Sequence, residues 1–238
     1  MRAEALSRAC ERDVVFFEET DSTNLRAREL GRQGAPSGTL VVADGQTGGK
    51  GRLGRSWQSP PGLNLYFSLL LRPPISPEAA PLQCLATALA VAEATQAFIK
   101  WPNDVVDRED HKLAGILAEL ETAGSRLAFV VLGVGLNVNQ QRFPPELPDA
   151  VGLGHGIDRV ALLARVVSRI EDRCAQAVHD PEAMLHAWRA RSRTLGRRVR
   201  LGSVEGFAED IGSDGALLVR TEDGLRAVLS GDVELIGR

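Results

Sequence analysis

A glycine-rich stretch in the first quarter of the chain limits the possible folds more than any other feature. Residues 48–57 read GGKGRLGRSW, with four glycines around three cations, and the continuation RSWQSPPG cannot start a helix. The G-x-G-x-x-G pattern at 49–54 binds a dinucleotide only when a helix follows directly and an acidic residue lies about 20 positions further on. Residues 69–74 contain no carboxylate, so a Rossmann domain is excluded. A P-loop is excluded because a glycine follows Lys50 and Asp44 stands six residues before it.

Two interpretations of this stretch remain. It is either a solvated surface loop, or a flexible loop that lays backbone N–H groups and three cations along an anionic ligand and covers it with Trp57. The net charge of the whole chain, −3, argues against general nucleic-acid binding, which needs a basic face. An anion site in this protein must therefore be local.

The first 190 or so residues mix strand and helix patterns without strict alternation. Strand patterns are VVFFEE from 14, TLVVADGQ from 39, LNLYFSLLLRP from 63, AFIKWPND from 97, KLAGILAELE from 112 and RLAFVVLGVGLNVN from 126. Helices are predicted after Asp21 or Ser22, from Pro77 to about Ala97, from about Asp158 and from Pro181. This mixture favours an α+β fold over a doubly wound parallel sheet.

The chain changes character near its C-terminus. From about Thr194 the pattern consists of short apolar runs separated by SDG and EDG turns, which is typical of a small all-β barrel. We therefore expect two domains, residues 1–192 and residues 193–238.

The cysteines and the hydropathy of the sequence limit the cellular compartments in which we expect the protein. Cys10, Cys84 and Cys174 have neither the number nor the spacing of a disulfide framework or a metal site, so we expect reduced thiols in helices. The sequence has no apolar run of about 20 residues and no N-terminal targeting signal. The expected location is the cytoplasm, without membrane partners.

Five motifs resemble those of the biotin protein ligase family in order and spacing. They are DSTN at 21–24, the glycine-rich loop at 48–57, KWPNDVV at 100–106, KLAGILAE at 112–119 and GVGLNVN at 133–139. The C-terminal stretch is similar to the SH3-like barrel of that family. The resemblance implies a mixed sheet with packed helices, related in fold to class II synthetases, followed by that barrel.

The resemblance also implies an activity. Family members activate biotin with ATP, in the presence of Mg²⁺, as biotinyl-5′-AMP, and then transfer biotin to a specific lysine of a biotin carboxyl carrier protein. Two alternatives stay open, a lipoate–protein ligase of the same fold family and a non-catalytic protein that senses biotin or binds the carrier. A DNA-binding role is not expected because the first motif begins at residue 21. A homodimer is among the assemblies that the resemblance allows.

The resemblance distributes the ligand contacts over the motifs. The implied biotin-binding residues are Ser22, Thr23, Asn24, Gln46, Lys50, Gly51, Arg52, Lys112 and Gly115. The implied ATP-binding residues are Arg55, Trp57, Asn103, Asp104 and Asn137, with Asp104 as a ligand of Mg²⁺. Lys112 and Arg52 are the implied catalytic residues, because an anion must approach a polyanion. For Trp57, stacking on adenine and plugging the base of the loop are equal alternatives.

Overall fold

The structure is a computed structural model that describes residues 1–236. The α-helices are α1 (Ala3–Ala9), α2 (Thr23–Arg32), α3 (Pro81–Thr95), α4 (Arg159–His179) and α5 (Pro181–Arg189). The first seven strands are β1 (Val14–Thr20), β2 (Thr39–Gln46), β3 (Leu65–Leu71), β4 (Phe98–Lys100), β5 (Asp104–Val106), β6 (Lys112–Ala123) and β7 (Arg126–Leu136). The last five are β8 (Arg198–Leu201), β9 (Val204–Ile211), β10 (Leu217–Thr221), β11 (Gly224–Val228) and β12 (Glu234–Ile236).

The first seven strands form one mixed sheet in the order β1-β2-β3-β7-β6-β5-β4. Only β1 and β2 pair in parallel; the other neighbours are antiparallel. One face of the sheet packs against α3 and α4 in the main hydrophobic core. The other face carries α2, above a smaller cluster of Ala27, Val41, Leu70, Phe129 and Val131. The predicted α+β fold with a mixed sheet is confirmed.

The C-terminal strands form a second, antiparallel sheet in the order β11-β10-β9-β8-β12. This sheet fits the small SH3-like unit expected from the turn pattern. It packs beside the first sheet, since Trp101 Nε1 donates to the carbonyl of Gly215 at 3.0 Å and the main core continues through Val199 and Leu217. The two domain limits, 1–192 and 193–238, stay a prediction.

Several local expectations differ from the structure. The N-terminal helix α1 was not expected, and the predicted helix from Pro77 starts as a 3₁₀ turn, with α3 beginning at Pro81. The proline in KWPNDVV predicts a turn that includes Asp104, but in the structure Asp104 begins the short strand β5. All three cysteines are free, as predicted, although Cys10 follows α1 instead of lying inside a helix. Burial raises the pKa of the Cys174 thiol to about 12, which keeps it neutral.

Within residues 1–236, no helix combines the length and the hydropathy that a membrane crossing requires.

Asp110 joins the β5–β6 connection to the segment between α5 and β8. Its carboxylate accepts hydrogen bonds from Arg193 Nε at 2.8 Å and from Arg197 Nη1 at 2.7 Å. Burial alone would raise the pKa of Asp110, but the two arginines outweigh it and lower the pKa below 3.8. The ion pairs therefore stabilise the fold at neutral pH.

We expect Asp110→Asn to lower the free energy of unfolding by about 1–3 kcal/mol at pH 7, the range for hydrogen bonds to charged groups. Asparagine keeps the shape and tolerates the left-handed backbone of this position, where φ is 71°. Because the folded-state pKa is depressed, the contribution exists above the unfolded pKa of about 4 and is lost as pH falls through the folded pKa. Urea unfolding at pH 7 and pH 3 measures it, and an undiminished difference at pH 3 would contradict the assignment.

Candidate active site

A cavity of about 370 Å³ lies over β6 and β7, beyond the N-terminal end of α2. Its space comes from the alternation of side chains along β7. Phe129 and Val131 pack beneath α2, whereas the next residues on the same face are Gly133 and Gly135. A methyl group on Gly133 would overlap Asn24. The glycines thus leave the sheet open where the helix ends.

All of the predicted site residues line this one cavity. They are Ser22, Thr23, Asn24, Gln46, Lys50, Gly51, Arg52, Arg55, Trp57, Asn103, Asp104, Lys112, Gly115 and Asn137. They come from the start of α2, the end of β2, the glycine-rich loop, the segment before β5, and β6 with the residue after β7. The structure therefore brings the five motifs together; the role of each residue stays a prediction.

One end of the cavity is a buried polar network at the start of α2. The backbone N–H of Thr23 donates to Gln46 Oε1 at 2.8 Å. Ser68 on β3 lies 2.8 Å from Thr23 Oγ1 and donates to Asn24 Oδ1 at 2.6 Å. Asn24 Nδ2 in turn donates to Glu119 Oε2 at 2.7 Å. These contacts fix the amide and hydroxyl groups before a ligand arrives, so a ligand here meets preoriented donors and acceptors.

The other end of the cavity contains an ion pair between neighbouring strands. Lys112 Nζ at the start of β6 lies 2.8 Å from Asp104 Oδ1 at the start of β5. That oxygen is buried and receives no well-directed hydrogen bond from any residue that the structure describes, so the contact is a plain ion pair. Asn137 Nδ2 donates to the carbonyl of Lys112 at 3.3 Å and helps to hold the start of β6.

Trp57 lies on a platform of two glycines. Gly115 and Gly135 face each other on β6 and β7. A methyl group on Gly135 would overlap the indole, and one on Gly115 would come within 3.0 Å of it. Lys112 Nζ lies 5.6 Å from the ring centroid, within cation–π range. The indole N–H is buried and finds no acceptor within residues 1–236.

The glycine-rich loop folds back on itself. Gly51 N–H donates to the carbonyl of Arg55 at 2.7 Å, and Trp57 N–H donates to the carbonyl of Gly49 at 2.9 Å. Leu53 forms the tip with φ 55° and is 73% exposed. A ladder-like pair of this kind keeps the turn together as one unit.

The loop arginines contact protein acceptors. Arg52 Nη1 donates to Asn103 Oδ1 at 3.0 Å and to the carbonyl of Gly231 at 3.3 Å. Arg55 forms an ion pair with Asp232, which precedes β12. The sequence predicts that both arginines lie along the ligand. In the structure each of them contacts the segment that leads into β12, Arg52 at Gly231 and Arg55 at Asp232.

Sequence reasoning missed three residues of this site. Ser68 and Glu119 belong to the polar network, and Asp232 belongs to the loop contacts. Ser68 had a usable signal, because a polar side chain inside the buried strand LYFSLLL needs a partner. For Asp232 and Glu119 the neighbouring residues give no comparable signal.

Comparisons with known proteins agree with the motifs. Residues 16–137 match the Biotin/lipoate A/B protein ligase family, and residues 194–236 match the Biotin protein ligase C terminal domain. The bifunctional ligase/repressor BirA of Bacillus subtilis is 35% identical over 93% of this chain and 74% of its own length. The biotin–[acetyl-CoA-carboxylase] ligase of Mycobacterium tuberculosis is 35% identical over 93% of this chain and 88% of its own.

A solved structure shows that the fold agrees as well. The biotin protein ligase from Aquifex aeolicus, in complex with biotin and ATP, superposes with a TM-score of 0.78 at 32% identity, over 93% of this chain and 97% of that one. Sequence motifs, fold and cavity lining thus point the same way. The chain belongs to the biotin protein ligase family.

Proposed function

We propose that the protein is an ATP-dependent ligase that activates biotin as biotinyl-5′-AMP and transfers it to a specific lysine of a biotin carboxyl carrier protein. The observation that carries this proposal is a single cavity with a buried polar network at one end and the Lys112–Asp104 pair with a cationic loop at the other. The Aquifex aeolicus relative binds both biotin and ATP. We assign catalysis to residues 1–192 and place the reaction in the cytoplasm, where ATP is available.

The polar network suits the ureido group of biotin. That group presents two N–H donors and one carbonyl acceptor, and the side chains of Thr23, Asn24, Gln46 and Ser68 supply both kinds of partner. A buried polar site rejects ligands that cannot satisfy it by large factors, because its own groups are then left unpaired. Lipoate lacks a ureido group, so this end of the cavity favours biotin.

The cationic end addresses the first chemical step. A carboxylate oxygen of biotin attacks the α-phosphorus of ATP, the bond from that phosphorus to the α,β-bridging oxygen breaks, and pyrophosphate leaves with that oxygen and the electron pair. At 4 Å, two like unit charges repel by about 4 kcal/mol at an effective dielectric near 20. Four cations line the cavity and offset this repulsion, namely Lys50, Arg52, Arg55 and Lys112.

The second step needs a sheltered acyl phosphate. The amine of the carrier lysine attacks the biotinyl carbonyl, the carbon–oxygen bond to AMP breaks, and the amine loses a proton as AMP leaves. Before that, water must be kept from the mixed anhydride, and the loop with Trp57 over Gly115 and Gly135 covers this region.

The carboxylate that we assign to Mg²⁺ already has a partner. Asp104 Oδ1 is buried beside Lys112 Nζ, and the exposed quarter of the side chain lies on its other atoms. Magnesium in nucleotide sites commonly uses one or two carboxylates together with phosphate oxygens and water. Asp104 fits that role through Oδ2 alone, while Oδ1 stays with Lys112. The ion would neutralise phosphate charge during the first step.

The function is tested with purified protein, Mg-ATP, biotin and a lysine-bearing carrier domain. We expect covalent biotin on the carrier and biotin-dependent exchange of pyrophosphate into ATP. The same assay with lipoate in place of biotin distinguishes a biotin ligase from a lipoate ligase. Preferred transfer of lipoate would identify a lipoate ligase, and tight biotin binding without exchange would identify a non-catalytic protein.

Lys50 carries a charge in the glycine-rich loop, but it lacks the planar fork with which arginine grips phosphate through two bonds. We expect Lys50→Arg to slow the release of preformed biotinyl-AMP by about two- to fivefold, the scale of one exposed ion pair. A chase of labelled adenylate with excess unlabelled biotin and ATP measures the rate. An unchanged release rate in Lys50→Arg would contradict a contact between residue 50 and the phosphate of the adenylate. So would an equally slow release in the control variant Lys100→Arg on β4.

A further inference from the structure

Asp232 lies at the junction of the C-terminal sheet and the cavity. The next residue, Val233, is buried in the core, and β12 then pairs with β8. These neighbours fix the backbone at Asp232, and its side chain lines the same cavity as Lys112. The C-terminal sheet therefore contributes an anchored carboxylate to the proposed active site.

This carboxylate contacts both arginines of the glycine-rich loop. Asp232 Oδ2 pairs with Arg55 Nη2, and Asp232 Oδ1 lies 4.0 Å from Arg52 Nη1. Arg52 also donates to the carbonyl of Gly231 at 3.3 Å. Two adjacent residues of the segment between β11 and β12 thus hold the turn at 52–55. The internal hydrogen bond from Gly51 to Arg55 passes this restraint to the rest of the loop.

The strength of this attachment suits a loop that must open and close. The side chains of Arg55 and Asp232 are 61% and 46% exposed, and ion pairs this exposed contribute little each. Substrate can therefore separate them. A bias of a few-fold toward the closed loop is nevertheless enough to change how often the activated intermediate escapes.

We propose that Asp232 is a positioning residue through which the C-terminal sheet holds the loop closed over the site. Its carboxylate acts through Arg52 and Arg55 and does not touch the reacting atoms. The proposal rests on the proposed function only for its consequence, retention of biotinyl-AMP. The closure itself is a property of the ligand-free protein and can be measured without any substrate.

Limited proteolysis tests the closure directly. Trypsin cuts after Arg52 and Arg55 when the loop opens, and mass spectrometry of the fragments isolates these two sites. We expect Asp232→Asn to raise the rate of cleavage there by about two- to fivefold in the ligand-free protein, since cleavage follows the population of the open form. Asp232→Glu should restore part of the protection because it keeps the charge.

The matched control is Asp223→Asn in the β10–β11 turn. Asp223 is an exposed aspartate of the same sheet that pairs with Arg226 at 3.0 Å. It should leave cleavage after Arg52 and Arg55 at the wild-type rate. Thermal unfolding of all variants shows whether the C-terminal sheet stays folded, and cleavage at sites outside the loop serves as an internal reference.

The functional consequence is measured separately. Asp232→Asn should release free biotinyl-AMP about two- to fivefold faster, with a smaller change in the rate at which the adenylate forms. Equal loop cleavage in wild type and Asp232→Asn would overturn the proposal. So would a lower KM for ATP in Asp232→Asn, because the carboxylate would then oppose the nucleotide. If wild type formed no adenylate, the proposed function would fail while the cleavage result still decided the closure.

Discussion

Replacing Lys112 by glutamine should slow biotin-dependent pyrophosphate exchange by about a hundredfold or more, the scale for losing one preorganised charge in an active site. Two effects add. The variant loses the cation that offsets repulsion between the biotin carboxylate and the α-phosphate, and it leaves Asp104 Oδ1 buried without its partner at 2.8 Å. A site meant to receive anions would then gain a net negative charge. Exchange of labelled pyrophosphate into ATP, at saturating biotin and ATP, measures the loss.

Three comparisons separate this role from a general loss of charge or fold. Lys112→Arg keeps the charge but not the geometry, so it should recover only part of the rate. Lys100→Gln removes the same charge from strand β4, which β5 separates from β6 in the sheet, and a loss as large as that of Lys112→Gln would show that only the total charge of the cavity matters. Thermal unfolding of each variant excludes simple destabilisation of β6. Exchange within tenfold of wild type in Lys112→Gln would refute the assigned role.

The sequence was most informative where one short segment contains both polar side chains and residues that set the backbone conformation. The glycine-rich loop, DSTN and the start of β6 each combine turn-forming or strand-ending residues with polar side chains, so their grouping around one ligand was predictable from the motifs. The mixed sheet followed from strand patterns that alternate irregularly with helices. The short strand β5 was missed because VV at 105–106 is too brief a run to register as a separate element.

Contacts between distant segments were beyond reach of the sequence. Glu119 reaches Asn24 only because α2 packs on β2, β3 and β7, and Glu119 lies on the same face of the neighbouring strand β6. Asp232 reaches Arg55 only because the second sheet packs beside the first, and the ordinary SGDVEL sequence around it gives no hint of this. The sequence reveals which residues have the right chemistry; packing decides which of them share a partner.

Gly133 shows how packing turns an ordinary strand residue into a determinant of binding. It occupies the cavity face of β7 and pairs in register with Leu117 on β6. A methyl group there would overlap Asn24 Oδ1, and the amide cannot simply swing aside, because Ser68 and Glu119 both hold it by hydrogen bonds. Displacing Asn24 therefore breaks the polar network that we assign to the ureido group.

We expect Gly133→Ala to raise the dissociation constant for biotin by about ten- to a hundredfold, the effect of leaving one or two buried polar groups badly paired. Isothermal titration with biotin alone measures it, so no catalytic step intervenes. Gly154→Ala is the matched control, since a methyl group there meets only Ile157 Cδ1 at an ordinary 3.6 Å. ATP binding measured by the same method should change less than biotin binding, because the methyl group lies at the polar end of the cavity. Equal weakening of both ligands would mean that β7 itself had shifted, and unchanged biotin affinity would remove Asn24 from the binding site.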